Sequence, residues 1–114
     1  MQKKTVLIQV EIPEGRCVTA HFMQVVYDDD GQEIGRGGRP HTITFMPDAD
    51  HDAILKAINT DITTREGMKW NPIDPAEWAR ACAHCQVEHT PEIKAAYAAF
   101  KAAALKAVPS NKET

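Results

Sequence analysis

Residues 6–27 read VLIQVEIPEGRCVTAHFMQVVY, and this stretch decides the fold class. Apolar residues occupy every second position in its first half, which predicts a strand with one strongly apolar face. These residues are Val6, Ile8, Val10 and Ile12. Pro13-Glu14-Gly15 then predicts a tight turn. Residues 17–27 are rich in β-branched and aromatic residues and moderately apolar on both faces, which predicts a central strand.

A third strand follows a second turn. Asp28-Asp29-Asp30-Gly31 predicts this turn, because aspartates bond to nearby backbone amides and glycine accepts a positive φ. The alternative, a calcium loop, lacks the spaced acidic ligands and distal glutamate of an EF-hand. The third strand starts at Glu33-Ile34, is interrupted over residues 35–40 (GRGGRP) and resumes over residues 41–46. The expected sheet is a three-stranded antiparallel meander.

Helical patterns replace the strand patterns after Pro47. A first helix, capped by Asp48 or Asp50, is predicted to run to about Thr60. Residues 63–73 have no clear period, and Trp70 is expected to fix this loop onto the core.

Two further helices have clear start signals. Asp74-Pro75-Ala76-Glu77 predicts a helix to about His89, with Glu77 reaching back to the cap amide. Thr90-Pro91-Glu92 predicts a last, alanine-rich helix through about Ala107. The chain is therefore expected to be one α+β domain over residues 1–108. The strands span about residues 4–46, the helices about 49–107, and a flexible tail 109–114.

Composition excludes several classes of partner. The chain has 114 residues and a formal net charge of −3, so no basic excess favours nucleic acid. No apolar run approaches the roughly 20 residues that span a bilayer. The N-terminus lacks a signal-peptide pattern, and three cysteines do not form a secreted disulfide framework. We therefore expect a protein of a reducing cytoplasm that binds neither nucleic acid nor membrane.

The densest group of reactive side chains is Cys82-Ala83-His84-Cys85, followed by His89. Cys-x-x-Cys with a nearby histidine is a zinc-ligand spacing. On a helix, Cys82, Cys85 and His89 share a stripe with Trp78, whereas His84 points away. A zinc site would use those three residues and a fourth ligand from Cys17 or His21. We favour the other interpretation, in which the thiols are small core residues beside Trp78 and no metal or other cofactor binds.

An enzyme that uses a cysteine nucleophile is a third hypothesis. Cys17 and His21 lie four residues apart on a strand, roughly 13 Å, which is beyond hydrogen-bond reach. His41 or His89 would have to approach instead. Because no catalytic constellation is complete, the sequence favours a protein without enzymatic activity, and no residue is assigned a catalytic role.

Two segments are candidates for protein contact. The first is the basic segment from Gly35 to His41, which supplies Arg36, Arg39 and His41. The second is the last helix, whose large apolar residues include Tyr97 and Phe100. A stripe of small residues on that helix allows either packing against the sheet or a helix-mediated homo-oligomer. That stripe is Ala96, Ala99, Ala103 and Ala107.

Three stretches carry a resemblance to a known group of proteins. They are residues 6–37, residues 58–73 (INTDITTREGMKWNPI) and residues 78–100 (WARACAHCQVEHTPEIKAAYAAF). Together they resemble small proteins of tailed bacteriophages and prophages, which are encoded among tail-tip and tail-fibre genes. The resemblance implies a structural or assembly role, phage tail components as partners, and a location in the bacterial host cytoplasm or the virion. It carries no catalytic residues.

Overall fold

The computed structural model describes residues 1–13, 17–36 and 38–107. In this part of the chain four strands come first: β1 (Gln2–Glu11), β2 (Val18–Tyr27), β3 (Glu33–Arg36) and β4 (His41–Phe45). Three helices follow: α1 (His51–Thr64), α2 (Pro75–Glu88) and α3 (Pro91–Ala107). The predicted α+β order, an antiparallel sheet and then helices, is confirmed. The predicted turn at Glu14-Gly15 and the predicted tail over 109–114 lie outside the described residues.

β2 is the centre of the sheet, as its two apolar faces predict. β1 pairs with it along one side, with Lys4 opposite Val25. On the other side the broken third strand is two separate strands. β4 pairs with the first half of β2, where Val18 faces Phe45, and β3 pairs with the second half, where Val25 faces Arg36. The interruption over residues 35–40 therefore lets one edge of β2 carry two short partners.

The second turn has the geometry that its sequence predicts. The Asp28 carboxylate accepts hydrogen bonds from the Asp30 and Gln32 amides, both at 2.9 Å. Gly31 has φ +83°, a backbone conformation that other residues rarely adopt. The carboxylate at the head of the loop therefore serves as a local backbone acceptor.

The core lies between one face of the sheet and helices α1 and α2. Phe22, fully buried at the middle of β2, stacks on Trp78 with ring centroids 5.9 Å apart. Phe45 lies against the same indole at 5.4 Å. The buried cluster is made of Leu7, Val18, Ala20, Phe22, Phe45, Ile58, Ile62, Trp70, Ile73, Trp78, Ala81 and Cys85. The interpretation of Cys85 as core filler beside Trp78 agrees with this placement.

The apolar face predicted for the first strand turns to the core over only part of β1. A register shift between Leu7 and Gln9 changes which residues face inward, so Val10 packs against the core whereas Val6 and Ile8 do not. Thr5 and Leu7 are the buried residues of β1. Val6 and Ile8 line a depression elsewhere on the sheet, and Ile12 is 45% exposed. Alternation shows that a strand has an apolar face, but which face is covered depends on the helices that arrive later in the chain.

α1 begins at the predicted cap and ends later than predicted. The Asp50 side chain accepts a hydrogen bond from the Ala53 amide at 3.1 Å. The helix continues to Thr64 rather than stopping near Thr60. Threonines lower helix propensity, but here their hydroxyls donate to carbonyls one turn back, and Ile62 is fully buried. Burial of the helix face outweighs the local preference.

The loop after α1 closes the outer edge of β1. Trp70 is buried, as predicted, and its amide donates to the Ile62 carbonyl at 2.7 Å. Ile73 forms a parallel bridge with Thr5. The Thr5 hydroxyl donates to the Asn71 carbonyl at 2.6 Å, which satisfies a polar group that is fully buried.

The start of α2 agrees with the sequence in its cap and differs from it in the partner of Glu77. Asp74 caps the helix by accepting from the Ala76 amide at 2.9 Å, as predicted. The predicted reach of Glu77 back to the cap amide is wrong, because the Asp74 amide donates to the Thr5 carbonyl at 3.0 Å. Glu77 accepts instead from the Leu7 amide at 3.1 Å. Glu77 thus pairs a backbone amide at the open edge of β1 and not an amide at the start of its own helix.

Candidate functional site

The candidate site is the surface of α3. The Thr90 hydroxyl accepts from the Ile93 amide at 3.2 Å, and Pro91 occupies the first helical position. Alanines occupy much of the remaining length, so α3 extends over 17 residues, roughly 25 Å. The helix is therefore specified mainly by its own sequence.

Little of α3 is buried. Among its residues 91–106, Ile93 and Tyr97 are half-buried and the others are exposed. Phe100 is 66% exposed and Leu105 76% exposed, so two of the large apolar side chains of α3 are open to solvent. The prediction that the small-residue stripe packs against the sheet is therefore wrong for Ala96, Ala99 and Ala103.

One side of α3 is joined to the rest of the protein by a salt bridge. Lys101 bonds to the Asp48 carboxylate, and its ammonium lies 5.3 Å from the centre of the Tyr97 ring. The hydrogen bond from Lys101 lowers the pKa of Asp48 and the same bond raises the pKa of Lys101. The molecule measures 59 × 35 × 21 Å, an elongated shape that agrees with a helix that projects from the packed core.

The five predicted contact residues do not form one surface. Tyr97 and Phe100 stack on α3 with ring centroids 6.4 Å apart. Arg39 and His41 line a depression beside the end of α1. Arg36 bonds to Glu33 at 2.6 Å, which lowers the pKa of Glu33. Gly37, within the basic segment, lies outside the described residues.

Cys82 and Cys85 have the properties of structural thiols. Cys85 is 1% exposed, and burial raises its pKa to about 11. Burial also raises the pKa of Cys82. A thiol with a raised pKa stays protonated at neutral pH and is a weak nucleophile. Within residues 1–13, 17–36 and 38–107, no three histidine, cysteine or acidic side chains are arranged to hold a metal ion.

A cavity of about 360 Å³ does bring imidazoles next to a thiol. His51, His89 and Lys94 line it together with Cys85. Burial lowers the pKa of His51, and nearby His89 and Lys94 act in the same direction. His51 therefore favours its neutral form and Cys85 favours its protonated thiol, which is the opposite of the imidazolium–thiolate pair of a cysteine nucleophile. His84, which helical spacing predicts to point away from the thiols, is exposed.

His21 belongs to a network that the sequence analysis missed. Its Nε2 lies 2.6 Å from a Glu11 carboxylate oxygen and its Nδ1 lies 2.8 Å from the Thr42 hydroxyl. The order carboxylate, imidazole, hydroxyl is that of a catalytic triad. Glu11 and Thr42 are exposed on the sheet surface, however, so water competes for each hydrogen bond. The network forms because β2 and β4 pair in the register that places Thr42 opposite His21. No local pattern in the sequence predicts that register.

A second missed feature is a cavity of about 600 Å³ beside β1 and β2. Val6, Ile8 and Val25 contribute apolar side chains. Charged residues surround them in pairs, including Arg36 with Glu33 and Arg80 with Glu77. Because each arginine already has a carboxylate partner, the cavity has little excess charge with which to attract an ion.

Comparison with known proteins adds no assignment. No protein family, curated protein or solved structure matches the chain. Among the described residues, none of the helices combines the length and apolar character that a membrane crossing requires.

Proposed function

We propose that this protein is a non-enzymatic structural or assembly protein that acts through protein–protein contacts made by α3. The observation that carries the proposal is the exposure of Phe100 and Leu105 on a helix that buries almost nothing within its own chain. Exposed large apolar groups on one element are typical of interaction surfaces.

Helix energetics supports the same conclusion. Most helices in proteins obtain the larger part of their stability from the tertiary packing of one face, and not from helix propensity alone. α3 obtains little of that packing from its own sheet, because its side chains are mostly exposed. A partner that covers the exposed side would supply the missing contacts.

The state of the thiols favours a role without cysteine chemistry. Burial holds Cys85 in its protonated form at neutral pH, and Cys82 is shifted in the same direction. Nucleophilic catalysis requires the opposite shift. Cys82 and Cys85 contribute to the packing of α2, and this supports a function that depends on surface contacts and not on a thiol.

The resemblance to proteins of tailed phages and prophages extends the proposal to a partner class. Under this proposal the partners are phage tail components, and the protein acts in the host cytoplasm during assembly or within the virion. Helix-mediated contact suits an assembly factor, since exposed helices dock without rearranging a sheet.

Site-specific photo-crosslinking tests the proposed function. A benzophenone amino acid is placed at Phe100, and at Ile34 as a control, which is 57% exposed on β3. Each variant is produced in cells that carry the neighbouring genes. We expect a discrete adduct, identified by mass spectrometry, from position 100 and none from position 34. Equal adduct formation at both positions, or none at either, contradicts the proposal.

A further inference from the structure

We propose that the partner of α3 is α3 of a second copy of this chain, and that the two helices pair antiparallel. The inference rests on the proposed function and deepens it, since it names the occupant of the exposed helix surface.

The spacing on α3 is that of a short coiled-coil seam. Residues three and four positions apart share a face of a helix, and a repeat of this kind brings helices together in pairs. The seam is Ile93, Ala96, Phe100 and Ala103. Large residues therefore hold one core position of the seven-residue repeat and alanines hold the other.

Antiparallel pairing matches large residues with small ones. In this orientation the two core positions face each other across the interface. Phe100 then packs on Ala96 of the second copy, and Ile93 packs on Ala103 of the second copy. Alternation of large and small side chains across facing positions fills an interface without voids.

Parallel pairing gives a poorer interface. Each residue would meet its own copy, so Phe100 would face Phe100 and Ala96 would face Ala96. The first layer would be overfilled and the second would contain a gap, and both defects are destabilising. The helix dipoles would also be aligned side by side, whereas antiparallel helices place opposite ends together.

The charges on α3 agree with the antiparallel register. Glu92 is in the first turn and Lys106 in the last turn. Both flank the seam on the same side, fourteen residues apart in sequence. In the register that places Phe100 on Ala96, Glu92 of each copy meets Lys106 of the other, which gives two symmetric ion pairs.

Most of the seam lies on a side of α3 that its own protein leaves open: Ala96, Phe100 and Ala103 are exposed, and Ile93 is half-buried. Lys94 lines the cavity beside His51, and Lys101 bonds to Asp48, so these two residues mark the side that faces the rest of the protein. Around the helix axis, Phe100 lies roughly 100–120° from these two lysines and Ala96 roughly 140–160° from them. Both are exposed, so a second helix can reach them.

Sedimentation equilibrium of the purified full chain is the first test. We expect a reversible dimer with a Kd on the order of 10 µM, because two such helices bury less area than a standard interface. Phe100→Ala should weaken it by at least about 100-fold, since each dimer loses two buried rings. Ile34→Ala, also exposed, should leave it unchanged. A wild-type chain that stays monomeric at about 100 µM overturns the proposal.

A charge exchange tests the register. Glu92→Lys should weaken the dimer by about tenfold, because it sets two lysines against each other twice. Lys106→Glu should do the same. The double variant should recover the wild-type affinity to within about threefold. Each single change also opposes the helix dipole, and the double variant keeps both of those defects, so recovery can come only from the intermolecular pair. Additive weakening in the double variant overturns the antiparallel register.

Thiol cross-linking tests the geometry independently. In this register Ala99 of one copy lies beside Ala99 of the other, whereas Ala102 lies on the outer side of each helix. Ala99→Cys should form a covalent dimer with a short bifunctional thiol reagent, and Ala102→Cys and the wild-type chain should not. Equal cross-linking of both variants overturns the proposal.

The two proposals fail in different ways. If the purified chain is monomeric but position 100 still forms an adduct with another protein in cells, the proposed function stands and the self-pairing is wrong. If the chain dimerises through another surface and position 100 forms no adduct at all, both are wrong.

Discussion

The packed centre around Trp78 and the projecting helix α3 hold aromatic residues in opposite environments. Trp78 is 7% exposed and contacts both Phe22 and Phe45, whereas Phe100 is 66% exposed and stacks on Tyr97 alone among the described rings. Both sites lie on helices with strong start signals in the sequence. The difference shows that helix formation is specified locally in both regions, while burial is supplied by the sheet in one and is missing in the other.

The largest expected effect separates these two regions by one pair of substitutions. Trp78→Ala should lower the free energy of unfolding by about 3–5 kcal/mol, because it leaves a cavity between α2 and the sheet. Phe100→Ala should change it by less than about 0.5 kcal/mol in the monomer. Urea denaturation at low protein concentration measures both values. Similar losses from the two variants would show that α3 is part of the packed centre.

A smaller effect is expected at the edge of β1. Glu77→Ala removes the acceptor of the Leu7 amide and should lower the free energy of unfolding by about 1–3 kcal/mol. Glu77→Gln keeps an acceptor oxygen and should lower it less. Urea denaturation of the three proteins gives the comparison. If alanine and glutamine have equal effects, the carboxylate matters for its charge toward Arg80 and not for the strand edge.

The helix caps sharpen the comparison further. Asp74→Ala should lower the free energy of unfolding by about 1 kcal/mol, because α2 is part of the cooperative core. Thr90→Ala removes the equivalent cap of α3, and its effect should be confined to faster amide exchange within that helix. Hydrogen exchange resolved by residue measures both. Global destabilisation by Thr90→Ala would mean that α3 unfolds together with the core.

A pH dependence of stability is expected from a thiol in the core. The pKa of Cys85 is about 11 in the folded protein and near 9.0 in the unfolded chain. Between these values the unfolded chain binds fewer protons, so the stability that Cys85 contributes is present below pH 9.0 and is lost as the pH rises toward about 11. Thermal unfolding across this range should show the decline, and Cys85→Ala should reduce it. A decline of the same size in that variant assigns it to other groups.

Much of the fold was predictable because its signals are local. Alternation in residues 6–27, the aspartate turn ending at Gly31 and the starts of α2 and α3 each depend on a few neighbouring residues. The end of α1 was not predictable in this way. Its last turn is stabilised by burial of Ile62, which is a property of the sheet beneath it.

The candidate site was only partly predictable. Tyr97 and Phe100 were identified as large apolar residues of a predicted helix, but their exposure depends on where α3 leaves the core, which no local pattern encodes. The network of Glu11, His21 and Thr42 depends on strand register in the same way. The role of Glu77 was missed because its partner, Leu7, lies 70 positions away.

That long separation has a consequence for synthesis of the chain. The amides and carbonyls at the border of β1 find their partners in Asn71, Asp74 and Glu77. A ribosome makes the strand first and this covering segment much later, so the nascent sheet spends most of translation with an unprotected margin. A substitution that slows closure of the margin would therefore reduce the yield of folded protein before it measurably altered the finished molecule.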